Sequence, residues 1–387
     1  MRQQWIWFAL VGFGMTTAFN VPSAGLFCST VKVKAPGARC GARGLSIAMQ
    51  RSLQSDLDTV IAKRGWLEQS FLQEGGVLKS PEQKGGGMGF GGAGKTKGRN
   101  KDSILDDSKM LAAELRRTGV VRIDSVLSEA CADALALCVD EERERANAEV
   151  AAGVDATSRF ADLVLLGNRC DLLMPLRGAV IPALQELLGP PSRLAMTLEL
   201  AAGKKCRLQE IACLISEPGS APQPMHPDIP FTPVPPLFAC FVALQDVSIE
   251  MGPTIYLPGT HNKEAHDSFY GGTESQEAGS KPGNEDFLRG QPVVRGMLRK
   301  GDCAVYNQQV LHCGSANTSD KIRRQFYVAV RNADTTVKGF PSIRPPFLNQ
   351  MSLKEMQAEL KALAKGKGGR LEEMNLADQA ASGFSYE

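Results

Sequence analysis

The chain has 387 residues, enough for one large domain or two small ones, and its 43% hydrophobic and 22% charged residues are ordinary for a globular protein. A formal net charge of +2 gives no reason to expect nucleic acid as a partner. None of the ten cysteines forms a CxxC pair, which argues against a zinc ribbon or a thioredoxin-type site, and we interpret them as reduced residues.

Residues 1–52 have the composition of a targeting presequence. Arg2 precedes an apolar run from Trp5 to Phe19, which is too short and too interrupted to span a bilayer and fits the core of a signal peptide. The basic segment that follows contains no Asp or Glu before Asp56, as is typical of organelle transit peptides. The combination resembles the bipartite presequences of algae with secondary plastids. We therefore expect delivery to a plastid by the secretory route, without stable membrane insertion after processing; an ordinary secretory signal is the alternative.

Residues 53–102 are predicted to form a short helix and a glycine-rich linker that is largely disordered, since seven of the ten residues from 85 to 94 are glycine. Within this linker, Gly89 to Thr96 reads GFGGAGKT and matches the phosphate-loop pattern. A phosphate loop requires a hydrophobic strand before it and a helix after it. The flanking residues provide neither, so nucleotide hydrolysis is disfavoured.

A folded domain is predicted over residues 103–345, with helices first and strands afterwards. The predicted elements are helices from Asp107 or Ser108 to Thr118, from Ser128 to about Val150 and from Gly178 to Leu188, and strands at 120–123, 194–200, 206–215, 237–247, 254–257, 303–306 and 325–330. This order indicates an α+β, mainly β fold, in which a jelly-roll or barrel carries helices on one side. Residues 262–291 are predicted to form a polar surface loop, and residues 346–387 a peripheral helical tail.

Histidine is scarce, and two of the four histidines lie where a metal site would need them. His226 and Asp228 form an HxD pair, and His312 follows 84 residues after the Asp, beside a predicted strand. Alternate residues of an extended segment point the same way, so His226 and Asp228 can bind one ion. Two histidines and one carboxylate leave three positions open, as non-haem iron(II) oxygenases require. The spacing thus predicts these three residues as metal ligands. His261 is expected to fix a turn, and His266 to be solvated.

Two adjacent arginines follow the last histidine, and strand alternation distinguishes between them. Arg324 shares its side of the strand with Phe326, Val328 and Val330, which indicates a buried apolar layer. Arg323 shares its side with polar and small residues better suited to lining a site. A guanidinium can form a bidentate pair with the distal carboxylate of a 2-oxo acid, and we predict that Arg323 does so.

Residues 208–332 resemble the phytanoyl-CoA dioxygenase family of iron(II)- and 2-oxoglutarate-dependent oxygenases. The matching segments are SEPGSAPQPMHPD (216–228), ALQDV (243–247), MGPTIYLPGTH (251–261) and RKGDCAVYNQQVLHCGSANTSDKIRR (299–324). The resemblance implies a double-stranded β-helix, of the jelly-roll or cupin-like kind, with helices packed on one sheet. In that family the HxD pair and the distal His bind iron, and an Arg eleven residues after that His, here Arg323, binds 2-oxoglutarate. Asp228 argues against the related halogenases, in which Gly or Ala replaces the carboxylate.

The function that the resemblance implies is hydroxylation of a small organic or acyl-type substrate by Fe(2+), 2-oxoglutarate and O2, with succinate and CO2 as co-products. His226, Asp228 and His312 would then be both the metal ligands and the catalytic residues. The main alternative is a metal- or ligand-binding protein on the same fold that performs no oxygen chemistry. The oligomeric state is left open by the sequence.

Overall fold

The computed structural model describes residues 101–161, 168–271, 285–335 and 351–367. The predicted presequence, nearly all of the linker and the end of the C-terminal tail lie outside the described residues. The helices are α1 (Lys101–Thr118), α2 (Glu129–Ala151), α3 (Val180–Leu188), α4 (Arg193–Ala202), α5 (Lys263–Phe269), α6 (Glu285–Gly290) and α7 (Leu353–Leu363). The strands are β1 (Val120–Ile123), β2 (Arg169–Leu173), β3 (Arg207–Ser216), β4 (Leu237–Ala243), β5 (Thr254–Tyr256), β6 (Val294–Arg295), β7 (Cys303–Asn307), β8 (His312–Gly314) and β9 (Arg323–Arg331).

The strands form two antiparallel sheets that pack face to face. The larger sheet has the order β1-β7-β4-β9-β3-β2 and the smaller one β6-β5-β8. Between them, Tyr256 of the smaller sheet packs in one apolar cluster with Phe241, Tyr306 and Tyr327 of the larger sheet. Helices cover the opposite face of the larger sheet. This arrangement confirms the predicted α+β class with a double-stranded β-helix core and helices on one sheet.

The outer face of the larger sheet and the helices share the main hydrophobic core. Phe326, Val328 and Val330 of β9 are fully buried there with residues from α1, α2, α3 and α4. Ser128 caps α2 as predicted, since its side chain accepts a hydrogen bond from the backbone N–H of Cys131. In the described part of the chain no cysteine forms a disulfide, and five cysteines are buried: Cys206, Cys213, Cys240, Cys303 and Cys313.

The start of one predicted helix and the type of one other predicted element are wrong. Helix α1 begins at Lys101, and Ser108 does not cap it but lies inside it, where its buried hydroxyl donates to the carbonyl of Ile104. Residues 194–200 are not a strand but part of α4, which Ser192 caps by accepting from the N–H of Ala195. The segment is rich in Leu, Ala and Met, which favour helix, and its buried residues recur at helical spacing.

The segments predicted to be peripheral are more ordered than expected. Helices α5 and α6 lie within the predicted surface loop, although residues 272–284 are outside the described residues. Helix α7 buries Leu353, Met356 and Leu360 in the main core, and the side-chain amide of Gln185 donates to the carbonyl of Leu360. Among the described helices, none has the length and apolar character needed to cross a membrane. The other helices and strands that were predicted within the described residues are present, with shifted ends.

Candidate metal centre

The two histidines of the predicted triad face each other across a short backbone bridge. The N–H of His226 donates to the carbonyl of His312 at 3.0 Å, and the N–H of His312 donates back at 2.8 Å. His312 begins β8, where its register partner on β5 is Tyr256. Asp228 is held in the same way, because its N–H donates to the carbonyl of Gln308 at 2.9 Å. The fold thus brings together residues that are far apart in the chain.

The ring nitrogens of both histidines are oriented by the backbone. Nδ1–H of His226 donates to the carbonyl of Pro224 at 2.7 Å, and Nδ1–H of His312 donates to that of Val310 at 2.9 Å. With Nδ1 carrying the proton, Nε2 of each neutral ring keeps its lone pair for a metal. Ligand atoms of His226, Asp228 and His312 all lie within 4.8 Å of one another. These three residues therefore present two imidazole nitrogens and a carboxylate oxygen to one point.

Asp228 uses its two carboxylate oxygens differently. Oδ1 lies 3.6 Å from Nε2 of His226 and 3.4 Å from Nε2 of His312, which is longer than a good hydrogen bond. Oδ2 accepts a hydrogen bond from the hydroxyl of Tyr306 at 3.0 Å. Burial alone would raise the pKa of Asp228, but the positive charge that His312 carries when protonated, together with the adjacent imidazole of His226, lowers that pKa well below its usual value. The side chains of Asp228 and His226 are 25% and 34% exposed, so the centre is open on one side.

Arg323 begins β9 and lies opposite Ser216 in the pairing of β9 with β3. Its side chain is fully buried, and Nη2 donates to the hydroxyl of Ser216 at 3.1 Å. Its Nε and Nη1 have no hydrogen-bond partner. Arg324 points to the opposite face, where Nε and Nη2 each donate to Asp140 at 2.8 Å. The predicted alternation is confirmed, whereas the role of Arg323 in binding a 2-oxo acid stays a prediction.

A second buried arginine, Arg169, was missed by the sequence reasoning. It lies opposite Ser216 in the pairing of β2 with β3, and its Nη2 donates to the carbonyls of Ala221 and Ser315 at 3.0 and 3.1 Å. Burial and, to a smaller extent, the nearby charge of Arg169 lower the pKa of Arg323 to about 9. A Cβ atom at Gly314 would lie 2.4 Å from Nη1 of Arg169, so only glycine lets this guanidinium approach β8. The alternation of polar and apolar residues in RCDLL was the available signal for β2.

The two remaining histidines lie outside the triad. His261 bonds through Nε2 to the carbonyl of Arg116 at 3.0 Å, so it ties the turn after β5 to the end of α1. His266 is buried in α5, and its Nε2 donates to the carbonyl of Gln309 at 2.7 Å. The prediction that His266 is solvated is wrong, because α5 folds back onto the turn before β8.

Comparisons with known proteins give a family and a set of distant structures. The family model for phytanoyl-CoA dioxygenase (PhyH) matches residues 115–325. No curated protein matches the chain. A crystal structure of the non-heme alpha-ketoglutarate-dependent epimerase SnoN from nogalamycin biosynthesis is 23% identical, with a TM-score of 0.42, over 61% of this chain and 88% of that one. The carbocyclase SnoK from the same biosynthesis is 23% identical, with a TM-score of 0.44, over 63% and 90%. AviO1 from Streptomyces viridochromogenes is 17% identical, with a TM-score of 0.42, over 62% and 99%.

Proposed function

The chain belongs to the phytanoyl-CoA dioxygenase family, a family of iron(II)- and 2-oxoglutarate-dependent oxygenases, and from this premise we propose a specific activity for it. The activity is hydroxylation of a C–H bond in a small organic or acyl-type substrate, with succinate and CO2 as co-products. The observation that carries the proposal is the convergence of His226, Asp228 and His312 on one point, with both Nδ1 atoms tied to backbone carbonyls.

The donor set fits iron(II). Two neutral imidazoles and one carboxylate on one side of an ion leave the remaining positions for co-substrate and O2. When bound, iron supplies the activation of O2 that is coupled to oxidation of the 2-oxo acid. The protein's own contribution is to fix the direction of the three ligand atoms and to keep the imidazoles unprotonated at Nε2 through the carbonyls of Pro224 and Val310.

The buried arginines fit the distal carboxylate of 2-oxoglutarate. On Arg323, Nε and Nη1 are buried and lack a partner, and Nη2 has a second N–H besides the one that it donates to Ser216, so a carboxylate can accept from two of these groups on one edge of the guanidinium. Ser216 holds the third nitrogen and so fixes the plane of the guanidinium. Arg169 adds a second positive charge, fastened to two backbone carbonyls. The two arginines would neutralise the charge of a carboxylate bound there and fix its orientation, and the carboxylate would be shielded from water.

Iron binding and succinate formation test this function together. We expect His226→Ala, Asp228→Ala and His312→Ala to lose bound iron and succinate formation without unfolding, because each removes one of three ligands. His261→Ala is the matched control, since it removes a histidine outside the triad. Succinate would be measured with 2-oxoglutarate, O2 and a panel of small organic acids and acyl thioesters.

Two outcomes would count against the proposal. Undiminished iron binding and succinate formation in Asp228→Ala would remove that residue from the metal centre. Iron and 2-oxoglutarate binding by the wild-type protein without succinate, across the whole panel, would favour the non-catalytic binding protein.

A further inference from the structure

Tyr306 is the residue next to the metal centre whose function the proposed activity leaves unexplained. It lies on β7 with its side chain 2% exposed between the two sheets. Its ring packs against those of Tyr256, Phe241 and His312, with centroid distances of 5.3, 5.4 and 4.8 Å. The ring carries its hydroxyl toward the carboxylate of Asp228, where it is directed at Oδ2.

The hydrogen bond from Tyr306 makes the two oxygens of Asp228 unequal. Oδ1 is the oxygen that lies close to both Nε2 atoms, at 3.4 and 3.6 Å, whereas Oδ2 is occupied by the tyrosine at 3.0 Å. Within the described residues, no other hydroxyl or amide donates to this carboxylate. A carboxylate can bind a metal through one oxygen or through both, and a hydrogen-bond donor on the second oxygen favours binding through the first alone.

We propose that Tyr306 is a positioning residue that keeps Asp228 bound to the metal through Oδ1 alone. If Asp228 bound the metal through both oxygens, it would occupy a coordination position that the 2-oxo acid needs. The hydrogen bond from Tyr306 to Oδ2 keeps that position free. Packing on three sides fixes the ring, so the hydroxyl cannot follow Asp228 if the carboxylate turns toward the metal. This inference rests on the proposed function, because it assigns a role to Tyr306 only if the triad binds a metal.

Tyr306→Phe isolates the role, because it removes the hydroxyl and retains the ring. Tyr327→Phe is the matched control: Tyr327 is also a buried tyrosine on the inner face, and its hydroxyl donates to a carboxylate, Oδ2 of Asp171, at 2.9 Å. Both variants lose one tyrosine–carboxylate hydrogen bond, but only the first loses it at the metal centre. Thermal unfolding of both would show whether the fold survives to a similar degree.

The experiment is titration of the full-length wild-type protein and both variants with Co(II), which substitutes for iron without oxidising. The Co(II) absorption bands report coordination number and geometry. The affinity of the Co(II)-loaded protein for 2-oxoglutarate is then measured. We expect Tyr306→Phe to weaken Co(II) binding roughly 10- to 100-fold, as is usual for loss of a partner that orients a metal ligand. We also expect altered absorption bands and weaker 2-oxoglutarate binding, with Tyr327→Phe matching the wild type in all three.

Each other result overturns the inference. If Tyr306→Phe binds Co(II) and 2-oxoglutarate like the wild type, the tyrosine does not position Asp228. If Tyr306→Phe and Tyr327→Phe are weakened equally, the effect reflects general loss of packing. If the wild-type protein itself fails to bind Co(II), the proposed function fails, and the role of Tyr306 fails with it; this case is distinguished from the others by the wild-type titration.

Discussion

Replacing Arg323 by Lys tests the binding of 2-oxoglutarate at the buried end of the site. Nε and Nη1 of Arg323 lack a partner and Nη2 has one N–H beyond the one donated to Ser216, so a carboxylate on one edge of the guanidinium would receive two charge-assisted hydrogen bonds. A lysine ammonium offers a point charge in place of the planar fork and retains one of these bonds at best. Loss of a hydrogen bond to a charged group costs about 2 kcal/mol, which corresponds to roughly 30-fold in affinity. We therefore expect Arg323→Lys to weaken 2-oxoglutarate binding by about that factor.

Arg324→Lys provides the internal control. Arg324 lies on the opposite face of β9 and already forms two hydrogen bonds of 2.8 Å with Asp140, whose side chain is 41% exposed. Such a partly exposed ion pair contributes about 1 kcal/mol or less to stability, so Arg324→Lys is expected to cost little. Its affinity for 2-oxoglutarate should equal that of the wild type.

Calorimetric titration of Co(II)-loaded protein with 2-oxoglutarate measures both affinities directly. Thermal unfolding gives a second readout, because a ligand at about 100 times its Kd stabilises the folded protein by about 2.7 kcal/mol. The wild type and Arg324→Lys should be stabilised to the same extent at one 2-oxoglutarate concentration, and Arg323→Lys markedly less. Equal affinities in the two variants, or a weaker Arg324→Lys, would show that the carboxylate does not bind at Arg323.

Two further predictions concern the pH dependence of metal binding and the cellular location of the protein. Burial lowers the pKa of His312, but the attraction of Asp228 outweighs this and leaves that pKa above its ordinary value of 6.5. Since a metal requires the unprotonated ring, Co(II) affinity should fall as the pH drops through this raised pKa, and a flat titration across the ordinary histidine range would contradict it. In protein stripped of metal, the same group contributes stability at low pH that is lost as the pH rises through the raised pKa. We also propose that residues 1–55 direct the protein to a plastid. A fluorescent fusion of these residues, expressed in an alga with secondary plastids, should label the plastid. Secretion of the fusion would favour an ordinary secretory signal, and a diffuse cytosolic signal would exclude both.

The sequence predicts the metal centre better than its surroundings, for a physical reason. His226 and Asp228 are neighbours with a fixed spacing, and alternation along β9 separates Arg323 from Arg324 by counting alone. These features depend on short-range geometry, which the sequence contains directly. The position of Arg169 near the site could not be predicted in this way, because it depends on the register between β2 and β3, which are distant in the sequence.

The errors have a similar origin. The apolar segment 194–200 is short enough to resemble a buried strand, although its Leu, Ala and Met residues and the cap at Ser192 favour a helix. His266 lies in a polar stretch, so its composition indicates exposure. Only the contact of α5 with the carbonyl of Gln309 buries it. The hydroxyl of Tyr306 is likewise indistinguishable in the sequence from that of any other strand tyrosine until β7 is placed opposite the loop of Asp228.

The buried charges explain why this arrangement is better understood as a binding site than as a stabilising core. Arg323 and Arg169 repel each other between the sheets, and in the part of the chain that the structure describes neither forms an ion pair with a carboxylate. Burying a cation without a counter-charge destabilises the fold, and two N–H groups of Arg323 without partners add to that cost. A dicarboxylate bound between these arginines and the triad would satisfy both, with one end on the guanidinium and the other at the metal. Under the proposed function, folding leaves at Arg323 an unfavourable energy that a bound anion would relieve, and that relief would add to the affinity for the co-substrate.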